Sequence, residues 1–364
     1  MVQLSRSTKF TCICFGIYVS YAVFIFLLLP LLMPDPVTLQ RSMLAYKTRH
    51  LGNLTKYTLE TGGEPIRSLL VTFRGSGALK LLDNLSFQPG CYQHYAPLIA
   101  YLNRMNAAQR HEQALEEILA LYKCDYNKSA PMLSWGMKSS TFQRFYGVQW
   151  KNSLIYPKNV CWDAQVMADI CKIHPFLNMA VYNLRLEYLS ALLERKDLNV
   201  KIMLLIRDPR GIMYSRAKSA WCASSPDCQA VNLCSDMASD YKTAMSLMRL
   251  FPHRFGVARY EDLVSKPEQT MQTIFNFYGL PMKRSKEVIR GVHPRSAHRD
   301  VDGWEFPWRH SNEPAFDWMY KMKTEDIKAI QSVCKDAMSM WRYRLVQDFE
   351  GFLPETFQPL LDNP

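Results

Sequence analysis

Two short stretches of the chain carry residue types that could grip an anion. The first is "TFRGSG", residues 72–77, which follows the apolar run "LLV" and leads into the helix-like "ALKLL". A strand that breaks in a glycine-containing turn and continues as a helix presents unpaired backbone N–H groups and the positive end of a helix dipole, which together bind phosphate. Gly75 and Gly77 let the backbone approach an oxyanion closely, and Arg74 and Ser76 can add charge and a hydroxyl. An ordinary strand-to-helix turn has the same outline. The stretch is no Walker A sequence, because Lys80 stands between Leu79 and Leu81 and no G-K-[ST] ending follows; the dinucleotide fingerprint fails as well.

The second stretch is "KIMLLIRDPRGIMYSRAK", residues 201–218. An apolar run delivers Arg207 at its carboxyl end, where ligands of open α/β sheets are contacted. A turn at Asp208-Pro209 then leads to a helix bearing Ser215 and Arg216. Ser215 lies eight positions beyond Arg207, roughly two helical turns, so guanidinium and hydroxyl can converge on one phosphate. Arg207 could instead pair with a carboxylate, and Asp-Pro is a common turn. Two such stretches on different strands suggest a nucleotide with phosphates at two separated points.

The elements around them must hold that arrangement. Short apolar runs, each followed by a turn signal and a helical segment, predict one α/β domain with strands at about 68–73, 201–206 and 255–260. "KIMLLIR" is apolar without alternation, as a central parallel strand covered on both faces should be. "SKPEQTMQTIFNFYGLP" predicts a helix with a Ser265-x-x-Glu268 capping box, an early Pro267, a stripe of Met271, Ile274, Phe275 and Tyr278, and a terminating Gly279. A last helix places Ile327, Ile330, Val333, Cys334, Ala337, Met338 and Trp341 on one core-facing stripe. Tyr260-Glu261-Asp262 reads as structural, capping a helix or pairing with an arginine.

The chain holds 44 Lys+Arg against 33 Asp+Glu, a net charge of +11, which favours polyanionic partners. No basic run, finger spacing or aromatic-laced basic strand accompanies that charge, so nucleic acid is excluded as the partner. Residues 11–33 lack any charge and are long enough to cross a bilayer core of roughly 30 Å. Arg6 and Lys9 precede them and Arg41 is the first basic residue beyond, which predicts a cytosolic tail (1–10), a signal anchor (11–33) and a lumenal remainder. A cleaved signal peptide would have a shorter apolar core and a small-residue cleavage site. Asn53, Asn84 and Asn127 begin acceptor sequons on the lumenal side, Asn84 on a helix. Eight cysteines follow the span, an even number suited to an oxidising compartment; no zinc-type CxxC pair occurs, and Cys222 and Cys228 are close enough to close a small loop. Proline and glycine over 34–65 predict a stem, leaving 66–347 as the domain and 348–364 as a C-terminal tail.

"TFRGSG" resembles the 5′-phosphosulfate loop, and "LLIRDPRGIMYSR" the 3′-phosphate motif, of the Golgi carbohydrate sulfotransferases that act on the 6-hydroxyl of galactose, N-acetylglucosamine or N-acetylgalactosamine. "ARYEDLVSKPEQTMQTIFNFYGLP", residues 258–281, is similar to a third segment of that family. The resemblance covers about residues 66–345 and implies a P-loop-like domain whose central parallel sheet is flanked by helices. It further implies sulfuryl transfer from 3′-phosphoadenosine 5′-phosphosulfate (PAPS), without a metal, to a glycan or proteoglycan in the Golgi. A homodimer fits that pattern. Carried over, the backbone of Gly75, Ser76, Gly77, Ala78 and Leu79 would hold the 5′-phosphate, Arg74 would neutralise the leaving oxygen, and Arg207, Ser215 and Arg216 would hold the 3′-phosphate.

The pattern breaks in two places. The family loop usually carries hydroxyls where this chain has Gly77 and Ala78, and a Tyr/Phe-Glu-Pro segment supplies a glutamate that can act as general base where "HYAPL" has Ala96. His94, two residues earlier, is either the substitute base or a histidine with no catalytic role. Tyr92 and Tyr95 read as packing residues; the aromatics of "GWEFPW" (303–308) and Trp318 could stack on sugars or pack a core or lid. Two other readings stand beside the enzyme: a homologue that binds PAPS or glycan without transfer, and a metal-dependent glycosyltransferase using Asp300-Val-Asp302, a triplet that also arises by chance.

Overall fold

The computed structural model describes residues 6–28, 36–86, 88, 90–98, 107–136, 163–182, 184–222, 225–280 and 315–361. Cys161, Asp300, Asp302 and the "GWEFPW" aromatics lie outside them. Strands β1 (Ile66–Thr72), β2 (Cys91–Tyr95), β3 (Phe176–Tyr182), β4 (Lys201–Ile206) and β5 (Phe255–Arg259) form a parallel sheet in the order β2-β3-β1-β4-β5. Central β1 registers Val71 against Val181 of β3 and Leu204 of β4. All but the first residue of β1 and of β4 are buried, so helices cover both faces, as their unalternating sequences require. Each buried aliphatic side chain there contributes about 1.5–3 kcal/mol.

The predicted strands stand within two residues of their expected limits, and β2 and β3 join them. Strand β2 reads "CYQHY", and its Gln93 and His94 are fully buried although polar, which hid it from pattern reading. Around the sheet run α1 (Arg6–Val23), α2 (Pro36–Tyr46), α3 (Ala78–Ser86), α4 (Ala107–Leu121), α5 (Ala130–Gly136), α6 (Ala164–Lys172), α7 (Leu186–Glu194) and α8 (Pro209–Ala217). They are followed by α9 (Ala230–Leu250), α10 (Tyr260–Ser265), α11 (Pro267–Tyr278), α12 (Asp317–Lys321) and α13 (Thr324–Met340).

Helix α11 buries the expected stripe and ends at Gly279 in the left-handed conformation (φ 75°). Its capping box does not form: Ser265 closes α10, and Lys266 stands at the N-cap without a side-chain bond. On α13 the stripe is buried except Val333, which is 49% exposed. Disulfides join Cys124 to Cys171, Cys222 to Cys228, and Cys234 on α9 to Cys334 on α13.

Two expectations about the termini, the stem and the C-terminal tail, are revised, while the anchor expected at 11–33 extends into residues 29–33 outside the described ones. Helix α1 continues through a π-helical turn (Phe24–Leu28) with Ile13, Phe15, Ile17 and Phe26 exposed, yet among the described residues no helix is long and apolar enough to cross a membrane. The expected stem docks on the domain: the Gly90 N–H donates to the Tyr46 hydroxyl at 3.0 Å, and Tyr46 and Leu51 pack with Ile173. The expected C-terminal tail also packs, since Tyr343 bridges Leu360 and Phe349, Phe352 and Phe357 cover Trp318 and Val346. Trp318 is therefore core.

Two buried histidines, His94 in β2 and His174 just before β3, both pack against the Tyr92 ring. His94 Nδ1 lies 3.2 Å from the Tyr126 hydroxyl and its Nε2 lies 3.8 Å from Cys171 Sγ, while His174 Nδ1 donates to the Ile170 carbonyl at 2.7 Å. Burial lowers His94 to about 3 and His174 to about 4. A histidine whose folded pKa is depressed contributes its full stability above its unfolded pKa near 6.5 and loses it as pH falls toward the folded value. Unfolding free energy should therefore drop between pH 6.5 and about 4, by about 2 kcal/mol per histidine at pH 5. Urea titrations across that range check it: His94→Leu or His174→Leu should flatten the acid limb, and an unchanged limb in both variants refutes the account.

Candidate functional site

The connections leaving β1 and β4 run to opposite sides of the sheet, so the crevice between their carboxyl ends is the topological switch point where ligands of open α/β sheets sit. Both candidate stretches open into that crevice. Gly75 and Gly77 take φ of 90° and 80°, backbone angles that a side chain strains. A Cβ on Gly77 would come within 2.2 Å of the Tyr260 ring, and one on Gly75 within 3.2 Å of the Ile212 carbonyl on α8. The loop thus needs glycine both for its turn and for close packing. Beyond it, Ala78 and Leu79 form the first turn of α3, where backbone N–H groups lack intrahelical acceptors.

Arginines of the second stretch are bonded to carbonyls of the first. Arg207 Nη1 donates to the Gly75 carbonyl at 2.9 Å, and Arg216 Nε donates to the Arg74 carbonyl at 2.8 Å. A guanidinium has five N–H donors, and these bonds aim the two groups at the turn of the first stretch. Arg207 also lies over the Tyr260 ring, 4.7 Å from its centroid. Burial lowers Arg216 to about 10, and the charge of Asp227 acts in the opposite direction. Ser215 is partly exposed beside Arg216 on α8.

The structure departs from the sequence reading at three residues. The Ser76 hydroxyl is buried against the Thr72 hydroxyl and its N–H donates to the Phe73 carbonyl at 3.1 Å, so this residue shapes the loop from within. His94 is fully buried in β2 among Tyr92, Tyr126 and the Cys124–Cys171 disulfide. With a pKa near 3 it stays neutral and reaches no acceptor, so it is not a general base. Asn84 is buried on α3 with its Nδ2 bonded to the Lys80 carbonyl at 2.8 Å, which removes it as a glycan acceptor; Asn53 and Asn127 are exposed.

Other residues shape the site, some of which, Arg210 and Trp221 among them, did not stand out in the sequence. Asp208 caps α8 by accepting from the Arg210 N–H, and pairs with the Arg210 guanidinium at 2.7 Å, both side chains buried. Arg210 reaches on to the Arg344 carbonyl at 2.9 Å and lies over the Trp318 ring. Glu261 accepts from the Asp208 N–H at 2.9 Å and from the Tyr343 hydroxyl at 3.1 Å; burial, with Asp208 nearby, pushes its carboxyl up to about 7. Asp262 pairs with Arg259 at 3.0 Å. Trp221 covers the Arg74 guanidinium, 3.4 Å from ring centroid to Cζ. Ala96, where the resembled family has glutamate, directly follows β2 with φ 43°. Among the described residues no group of three or more His, Cys, Asp or Glu is placed to hold a metal ion.

A strand–turn–helix loop joined to a second arginine-bearing strand end at the switch point of a parallel sheet defines an α/β protein built to bind an anionic ligand, of the kind seen in nucleotide sites. The chain belongs to the sulfotransferase domain family, whose model matches residues 65–342. It is 26% identical over 195 residues to carbohydrate sulfotransferase 3 of Tetronarce californica, covering 49% of this chain and 44% of that one. It is 28% identical over 180 residues to carbohydrate sulfotransferase 1 of Danio rerio, covering 44% and 42%. The chain thus spans less than half the length of these relatives. The sulfotransferase domain of the Synechococcus PCC 7002 olefin synthase aligns at 17% identity and a TM-score of 0.43, over 77% of this chain and 95% of that one.

The packing of Gly77 on Tyr260 yields a test. On the PAPS reading proposed below, Gly77→Ala should abolish high-affinity binding of adenosine 3′,5′-bisphosphate (PAP), because the methyl group displaces either the loop or the ring. Calorimetric titration of the variant with PAP measures this, and wild-type affinity would show that the loop is not the phosphate cradle.

Proposed function

We propose that the protein transfers a sulfuryl group from PAPS to a hydroxyl of a glycan or proteoglycan, the 6-hydroxyl of a galactose or N-acetylhexosamine being the acceptor to which the motifs point. The observation that carries this reading is the Arg207–Gly75 bond, which brings the two anion-binding stretches to one crevice. Membership of the sulfotransferase family and the names of the carbohydrate-acting relatives support it. On this reading the backbone from Gly75 to Leu79 cradles the 5′-phosphate, with Ser76 acting through its backbone, while Arg207, Ser215 and Arg216 hold the 3′-phosphate. Arg74 faces the bridging oxygen between phosphorus and sulfur. The S–O bond to that oxygen breaks as the acceptor oxygen bonds to sulfur, and the acceptor proton leaves to a base. Positioning and charge stabilisation carry such an in-line transfer, as in phosphoryl transfer. Trp221 keeps Arg74 in place for the charge that develops on the leaving oxygen.

The same reading places the protein in the Golgi membrane as a type II protein, with 1–10 cytosolic, 11–33 as anchor and the domain lumenal. Exposed Asn53 and Asn127 then serve as glycosylation sites, and a homodimer is an allowed assembly. A second reading is favoured by one observation: Ala96 stands where the base is expected, and buried His94 does not replace it. The protein would then bind PAPS or glycan without transfer.

Incubating the full chain with 35S-labelled PAPS and a glycan panel separates the two. Label on a sugar supports the transferase; retention of PAPS without transfer supports the binder. Arg207→Ala should weaken PAP binding by about 2–4 kcal/mol, the cost of losing a buried charge-assisted contact. Unchanged affinity would remove Arg207 from the site.

A further inference from the structure

The Cys222–Cys228 disulfide ties together two residues that touch the arginines of the anion site. Trp221, next to Cys222, lies over the Arg74 guanidinium at 3.4 Å. Asp227, next to Cys228, accepts Arg216 Nη1 on its main-chain carbonyl, and its N–H is held by the Ser225 hydroxyl at 3.3 Å. Arg216 in turn donates to the Arg74 carbonyl, which closes a circuit through Arg74, Trp221, the disulfide, Asp227 and Arg216. Ser225 and Asp227 beside Cys228 are polar and bring little apolar surface of their own to the packing.

We propose that this disulfide is a clip that sets the Trp221 ring and the Asp227 carbonyl against the two arginines, making Trp221 and Asp227 positioning residues of the anion site. The inference rests on the sulfotransferase reading. Cross-linking a loop of six-residue separation constrains the unfolded chain less than the Cys234–Cys334 bond, which spans 100 residues. Loss of the small clip should therefore register at the site more than in global stability. Loss of the large bond should do the reverse.

The test uses the full chain in detergent, with PAP as the calorimetric probe, alongside KM for PAPS, kcat and the thermal midpoint. Cys222→Ala/Cys228→Ala should raise the Kd for PAP and the KM for PAPS about tenfold with a small change in midpoint, as expected when one buried charge-assisted contact is loosened. Cys234→Ala/Cys334→Ala should lower the midpoint and leave the Kd unmoved. Trp221→Leu should raise the KM about three- to tenfold, the scale of a cation–π contact, and Trp221→Phe should restore most of it. Wild-type PAP affinity in both the Cys222→Ala/Cys228→Ala and Trp221→Leu proteins overturns the clip while leaving the sulfotransferase reading standing. A wild-type chain that binds no PAP overturns both.

Discussion

The bond from Arg207 to the Gly75 carbonyl is the constraint on which the rest of the site depends. It joins the ends of two strands that are adjacent in the sheet and about 130 residues apart in sequence, and it fixes the turn at one against the helix start at the other. Move either strand end and the glycine turn loses its packing on Tyr260 and α8 together. The parallel sheet supplies the rigidity, since β1 is paired along its length with β3 and over most of it with β4.

Concentrating cations at one face has a cost, because buried guanidinium groups repel one another and lose solvation. The fold answers with oxygen. Arg210 is bracketed by both carboxylate oxygens of Asp208 and by the Arg344 carbonyl, Arg216 by two carbonyls with Asp227 beside it, and Arg74 by the face of Trp221. Glu261 completes the frame by holding the Asp208 peptide instead of facing the crevice. The acidic residues around the motif therefore serve the geometry of the arginines, in keeping with the structural role read for Tyr260-Glu261-Asp262.

Much of this was legible in sequence where local chemistry and tertiary structure agree. Strand β4 and its Asp-Pro turn, the glycine turn after β1 and the stripe and stop of α11 follow from rules that act within a few residues. What failed depended on long-range burial. His94 looked like an available imidazole because nothing nearby in sequence announces Tyr126 or the Cys124–Cys171 pair that enclose it. Ser76 looked like a ligand donor because Thr72, which takes its hydroxyl, reads as an ordinary strand residue. The segments 34–65 and 348–364 lacked periodicity and so read as spacers, although their aromatic residues, Tyr46, Phe352 and Phe357 among them, pack on the domain. Trp221 and Asp227 gave no signal except their position beside closely spaced cysteines.

The reach of Arg210 to the Arg344 carbonyl, and of Glu261 to the Tyr343 hydroxyl, has a consequence for biosynthesis. A ribosome makes residues 201–218 long before residues 343 and 344, and later still Leu360, which bridges Tyr343. Until that stretch emerges, the Asp208–Arg210 pair lacks its outer partners. The crevice between β1 and β4 of a nascent chain is therefore unfinished until residues 343–360 have folded back beside it.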